Sequence, residues 1–235
     1  MFALGSPGLP ENGIAALPAQ LARVARAAGA DIRLGAPVRR LRAGTGGVEV
    51  DVSGADTLLA RSVIVAVGPG AVSDLLEVPP PMTKGLQTWW FAADTPPAAT
   101  ALLAVDGRRR GPVVNTVVIS NGAPSYAPRG RHLLAATCLL PRSGRADAGG
   151  RTREDEVRRT LADVWDADSA GWELLRRDDI PDALPVQPAP LRTTHPARLG
   201  DGVYIAGDYR DTASIQGALV SGERAARAVL ADQRA

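Results

Sequence analysis

Cysteine, histidine and lysine are nearly absent from this sequence, and each scarcity closes off a class of function. The one cysteine, Cys138 in "HLLAATCLLP", leaves no internal disulfide to form, and its apolar neighbours point to a buried, inert thiol in a reducing compartment. The two histidines, His132 and His195, lie far apart with no cysteine cluster beside them, so no metal site is expected. Lys84 is the one lysine among 27 basic residues, and the formal net charge is only +2. The nearest approach to a basic block, Arg108 to Arg110 in "VDGRRRGPVVN", sits between glycines and reads as a solvated hairpin turn rather than a phosphate clamp. No nucleic-acid partner is expected. No apolar run reaches the roughly 18 to 20 residues of a membrane span, and "MFALGSPGLPENG" has neither a basic leader nor a long apolar stretch. These features lead to the expectation of a cytoplasmic protein with no transmembrane segment. A convincing Ser/His/Asp or paired-carboxylate set is also missing, so no residue is nominated as catalytic.

What is present is an ordinary globular composition, 45% hydrophobic and 22% charged over 235 residues, enough for one core and a smaller subdomain. In "LPAQLARVARAAGAD", Leu17, Leu21, Val24 and Ala28 recur at helical spacing, and Gly29 suits the stop, which predicts a helix from about Pro18 to Ala28. Three alternating runs, "APVRRLRA", "GVEVDV" and "TLLAR", divided by turn residues, predict an antiparallel meander. The run Ser62 to Val67 is continuously apolar, which predicts a strand covered on both faces. Beyond Pro79-Pro80-Pro81, "LQTWWFAAD", "ATALLAVD", "PVVNTVVIS" and "RHLLAATCLL" predict a mainly antiparallel second sheet. The stretch "TREDEVRRTLADVW" predicts a helix capped by Thr152 with Asp155 and faced by Val157, Leu161, Val164 and Trp165. A proline-rich connection, Pro181 to Pro196, then leads to a last strand and helix.

That last stretch, "VYIAGDYRDTASIQGALVSGERAARAVL", carries the most chemistry. Val203 to Ala206 is a short buried strand; Gly207 lets backbone pass close to a ligand, and Asp208 at the strand's carboxyl end can accept two hydrogen bonds from sugar-type hydroxyls. Ser214 is the expected N-cap of a helix striped by Ile215, Ala218, Leu219, Gly222, Ala225, Ala226, Val229 and Leu230. Free N–H groups at its start favour an anionic group. On the residues alone, a close-packed glycine-rich helix with Asp208 capping a turn accounts for the same pattern.

Residues Gly202 to Leu230 resemble the C-terminal signature of the flavin-containing amine oxidase and phytoene desaturase superfamily, which ends with a strand, Gly-Asp or Gly-Glu, a loop and "GA-x-x-SG-x-x-AA". The order upstream is similar too: "PENGIAALPAQLARVARAAGADIRLGAPVRRLRA" resembles the helix and segment before the adenine-contacting strand, "SVIVAVGP" the next cofactor-domain strand, and "APRGRHLLAAT" a substrate-domain strand. The resemblance implies an α/β fold of α+β character: a partial FAD-binding Rossmann-like domain with an antiparallel meander (1–78 and 197–235) and an antiparallel substrate-type domain (79–196). It implies FAD as cofactor, with Val38 at the adenine end, Gly207 and Asp208 at the pyrophosphate and ribityl region, and Ser214, Ile215, Gln216 and Ala218 along the flavin's pyrimidine edge. Trp89, Trp90 and Tyr209 are weaker candidates for lining a substrate cavity.

The family's G-x-G-x-x-G after a first strand, and the acidic residue about 20 positions on, have no counterpart here. "GTGG" at Gly44 to Gly47 lies between two meander strands and reads as a hairpin turn. Weak FAD retention by the isolated chain is therefore expected. A truncated product, a subunit completed by an N-terminal FAD-binding chain, and a descendant that lost the cofactor all remain open, as does a homo-oligomer. Lys84 sits too early for the lysine that amine-oxidase members place before the substrate-domain strand. The expectation is an FAD-dependent oxidoreductase, or its C-terminal half, moving hydride from an apolar or amine-type substrate to flavin. The alternative is a non-catalytic binding module that needs a partner chain.

Overall fold

The computed structural model describes residues 8–140 and 152–234 of the 235-residue chain. Among them the chain is a mixed α/β protein with five α-helices and largely antiparallel sheets. It begins with α1 (Ala16–Ala27), followed by β1 (Val38–Gly44), β2 (Gly47–Val52), β3 (Leu58–Ala60), β4 (Val63–Val65) and a short α2 (Val72–Leu75). Next come β5 (Thr83–Ala93), β6 (Ala104–Val105), β7 (Val113–Val118), α3 (Ile119–Gly122), β8 (His132–Leu139) and α4 (Glu154–Trp165). The chain finishes with β9 (Glu173–Pro185), β10 (Arg198–Gly200), β11 (Val203–Ile205) and α5 (Ile215–Asp232). Two compact units result: one takes the chain up to Ile32 and then Gly85–Ile180, the other Arg33–Lys84 and then the chain from Pro181 onward. α1 is grouped with the large sheet.

The first unit is built on a five-stranded sheet of order β6-β7-β8-β5-β9, antiparallel between β6, β7, β8 and β5. Alternation along β5 points Gln87, Trp89 and Phe91 to one face, where they are buried with Leu134, Cys138, Val157 and Leu161. α4 supplies Val157 and Leu161 to this core, as its periodicity predicts. Its start lies one residue later than expected: Arg153 is the N-cap, and Glu156, not Asp155, accepts from the Arg153 N–H at 3.2 Å. The core also contains a fully buried amide, because the Trp89 indole needs an acceptor. Trp89 Nε1 donates to Gln87 Oε1 at 2.7 Å, and Gln87 Nε2 donates to Asp179 Oδ1 at 2.8 Å. Cys138 lies in the same core, its thiol pushed up to about 12 by burial, which keeps it protonated and inert at neutral pH.

Three expectations change here. "ATALLAVD" forms only the two-residue β6, leaving Leu102 and Leu103 exposed. The prolines after Ile180 do not begin a connection at once, since β9 runs on to Pro185; as an edge strand it tolerates Pro181, whose missing N–H would otherwise break a ladder. α1 buries none of its residues, so its apolar stripe, with Leu21 and Val24 exposed, is not part of a core. Around Arg108 to Arg110 the hairpin reading holds: the Asp106 carboxylate accepts from the Arg108 and Arg110 N–H groups at 3.1 and 2.7 Å.

The second unit holds the meander β1-β2-β3 and a small sheet of order β10-β11-β4, in which β11 and β4 run parallel. The meander occurs as predicted, with Gly44 and Gly47 closing its first hairpin. The run 62–67 forms only the three-residue β4 at the edge of its sheet, and Ile64 is partly exposed, contrary to the expected cover on both faces. Val48, Val65 and Val203 tie the two small sheets together.

Replacing the buried amide tests whether hydrogen bonding or apolarity holds the first core. Gln87→Leu, of similar size but without an acceptor, strands the Trp89 N–H and lowers unfolding free energy by about 1–3 kcal/mol in a urea titration; a gain in stability would show that the site asks only for apolar volume.

Candidate functional site

The site is a corner where β11 ends and α5 begins. The parallel pairing of β11 with β4 brings the carboxyl ends of both strands together, at Ala206 and Val67. Tyr209 seals that end: its hydroxyl reaches the Ala206 and Val67 carbonyls at 3.0 and 3.2 Å. Gly207 is required beneath it, since a Cβ there would overlap the Tyr209 ring. The Gly207 N–H donates to the buried Ser221 Oγ at 3.0 Å, fixing α5 against the strand end. Residues Asp208 to Arg210 form a 3-10 turn. The loop then returns so closely that a Cβ on Gly217 would overlap the Thr212 carbonyl oxygen.

Ser214 caps α5 as expected, its Oγ accepting the Gly217 N–H at 3.0 Å. The face that α5 buries shares Ala225 with the predicted stripe and otherwise differs from it. Gly217, Ser221 and Ala225 pack inward, because the strand end approaches too closely for larger side chains. Ile215, Gln216, Ala218 and Leu219 face outward and are exposed. The room left by Gly217 is taken by the protein's own loop, whereas Ala218 is open.

Asp208 is half-buried, and desolvation raises its carboxyl above the ordinary range even though the Tyr209 N–H and its own N–H oppose the shift. The neighbouring Asp211 is the opposite case. Hydrogen bonds from the Thr212 N–H and the Arg224 guanidinium hold it below the usual range, and Arg224 also reaches the His195 and Arg210 carbonyls. Asp211 and Arg224 are the residues that sequence reading missed. The signal for them was their charge on the loop and, for Arg224, its place on the buried side of an otherwise small-residue helix.

The other candidates scatter. Val38 opens β1, opposite Val52, and is partly exposed in the same unit as Gly207 and Asp208. Trp89 is buried in the first unit's core rather than open to a cavity, while Trp90, on the opposite face of β5, is half-buried and donates to Asp178 at 3.0 Å. Tyr209 is held by two carbonyls.

The profile of the flavin containing amine oxidoreductase family matches residues 2–230. The chain belongs to that family. No curated protein matches it. Its fold is similar to an oxidoreductase from Methanosarcina mazei (17% identity, TM-score 0.71, covering 93% of this chain and 55% of that one). It is likewise similar to a protein assigned as a protoporphyrinogen oxidase from Exiguobacterium (17%, 0.71, 93% and 51%) and to putrescine oxidase solved with putrescine (18%, 0.61, 94% and 53%). The chain thus spans about half the length of the solved structures it matches. Membership in the family implies a flavin cofactor, and the corner offers a half-buried carboxylate and a helix start with no acidic side chain in its first turn.

Two variants test this geometry. Gly217→Ala is expected to cost about 1–3 kcal/mol by forcing loop and helix apart, whereas Gly222→Ala, with open space at its Cβ, gains up to about 1 kcal/mol of helix propensity; thermal melts of both read the difference. Because the folded pKa of Asp208 is raised, its ionisation opposes folding as pH rises through that value. Asp208→Asn should therefore melt higher than the parent at pH 7 and lose that advantage as the pH falls below about 4.

Proposed function

We propose that the chain is the C-terminal half of an FAD-dependent oxidoreductase that takes hydride from an apolar or amine-type small molecule. The observation that carries this reading is the Asp208 corner: a desolvated carboxylate that forms no ion pair among the described residues, at the carboxyl end of a parallel strand and before a helix N-terminus, costs stability unless a ligand uses it. Asp208 would accept from ribityl-type hydroxyls, and the exposed start of α5, from Ser214 to Ala218, would meet the ring's pyrimidine edge. Val38 would meet the adenine end through its backbone. The bound flavin supplies the two-electron acceptor, so the protein's own work is to orient it, exclude water and present the substrate. Trp90, Thr88 and Thr137, half-buried on the face of the large sheet away from α4, would form part of the substrate wall.

The described residues offer no G-x-G-x-x-G turn for the pyrophosphate, since Gly68-Pro69-Gly70 between β4 and α2 is followed by Ser73 where the third glycine would stand, which supports completion by further polypeptide, in the same chain or a separate one. Ile64 on edge strand β4 and Ile215, Leu219 and Val220 on α5, all partly exposed, favour that completed form over a free-standing binding module. Like the matched solved structures, the completed protein would be about twice this length.

The test is a visible absorption titration with FAD, on the chain alone and on the protein completed with the remaining half. The chain alone stays colourless after desalting; the completed protein retains stoichiometric flavin, and Asp208→Ala in it lowers FAD affinity at least about tenfold. Unchanged affinity in that variant removes Asp208 from the site, and colourless completed protein overturns the flavoprotein reading.

A further inference from the structure

An opening lies wholly within the second unit, beside the turn that carries Asp208. Its volume is 510 Å³, within the range of small-molecule sites. One wall is apolar and stiff, formed by the two stretches Val78–Met82 and Pro185–Leu191, five of whose six prolines line the cavity, and closed by Val72, Leu199 and Ile205. Prolines fix this wall in advance, so little entropy is lost on filling it. The rest of the lining is polar: Gln187, Arg192, His195, Tyr209, Arg210 and Asp211.

The charges there do not cancel. Asp211 is consumed by Arg224, and Gln187 Nε2 is turned to the Asp211 carbonyl at 3.3 Å. The Tyr209 hydroxyl already reaches two carbonyls. Arg210 remains: Nη2 donates to the Pro196 carbonyl at 2.6 Å, but no ion pair forms to its guanidinium among the described residues. Arg210 Nε is buried and reaches no hydrogen-bond partner. Burial and the neighbouring Arg224 both disfavour this cation. An arginine remains charged in proteins, so the site is left with a positive group that has no anionic partner among the described residues.

We propose that this cavity binds a small organic acid with an apolar body, its carboxylate accepting from the Arg210 guanidinium and its body lying along the proline-rich wall. A planar carboxylate matches the guanidinium's paired donors better than a point acceptor does. Neither the cavity nor Arg210 takes part in the flavin reading, and the proposal does not rest on it.

Benzoate and hexanoate serve as probes, with benzamide as the uncharged match, in calorimetric and saturation-transfer NMR titrations on the full chain without flavin. Expected is saturable binding of the acids, with benzamide at least about tenfold weaker. Arg210→Met, which keeps the apolar stem, weakens benzoate by a similar factor. Leu191→Glu, at an exposed point of the wall, does so as well without touching Arg210's contacts, provided that circular dichroism shows each variant folded. Equal binding of benzoate and benzamide, full affinity in folded Leu191→Glu, or no binding of either acid would overturn the proposal. A failed flavin titration would not bear on it.

Discussion

The second unit depends on how closely α5 can approach the end of β11. The Gly207 N–H meets the buried Ser221 hydroxyl, and the loop between them has so little space that Gly217 must lack a side chain where Thr212 passes. Once strand end and helix are joined this tightly, the intervening residues have few places to go. Tyr209 is driven over the ends of β4 and β11, Asp211 is brought to Arg224, and Asp208 is left half-buried with only backbone donors. The uneven treatment of the two aspartates follows from one geometric demand. One carboxylate is satisfied by the protein and the other is not, which is the condition under which a ligand gains most.

The helix's far end is secured by a different device. Asp232 accepts from Tyr204 and Arg198, which ties the last turn of α5 to β11 and β10. Both partners hold its carboxyl below the usual range. This clasp is exposed and adds modestly to stability, but it sets the angle at which α5 leaves the sheet. The first unit needs no such clasp, because α4 lies across a broad sheet and contributes Val157 and Leu161 to a continuous apolar core. Among its buried polar residues, Gln87 is satisfied on both sides and so specifies the register of Trp89 and β9 without an unpaired group.

Much of this was legible in the sequence. Alternation gave β1, β2 and β5, and three-to-four spacing gave α1, α4 and α5, because those periods reflect backbone geometry that does not depend on distant residues. Ser214 as N-cap and Gly207-Asp208 as the strand-to-turn corner were legible for the same reason, since their roles are set within a few residues. Which face each element buries was less accessible. The α5 stripe was right at Ala225 but misplaced in the first turns, where apolar size marked Ile215 and Leu219, whereas close approach selected Gly217 and Ser221. α1 carries a valid amphipathic pattern that no described element covers, and Trp89 and Trp90, adjacent in sequence, were separated by the pleat into core and half-open face.

By itself, then, the sequence determined the family, the α/β character and the local signals of the Gly207 to Ala218 corner, all carried by short-range spacing. Tertiary structure decided the charges. Asp208 and Asp211 are three residues apart in the same loop, and only folding, by placing Arg224 beside one and none beside the other, made them unlike. It also left Arg210 without an ion pair among the described residues, in a cavity whose prolines come from segments about a hundred residues apart. Desolvation and pairing depend on which distant groups arrive, and no local pattern records that.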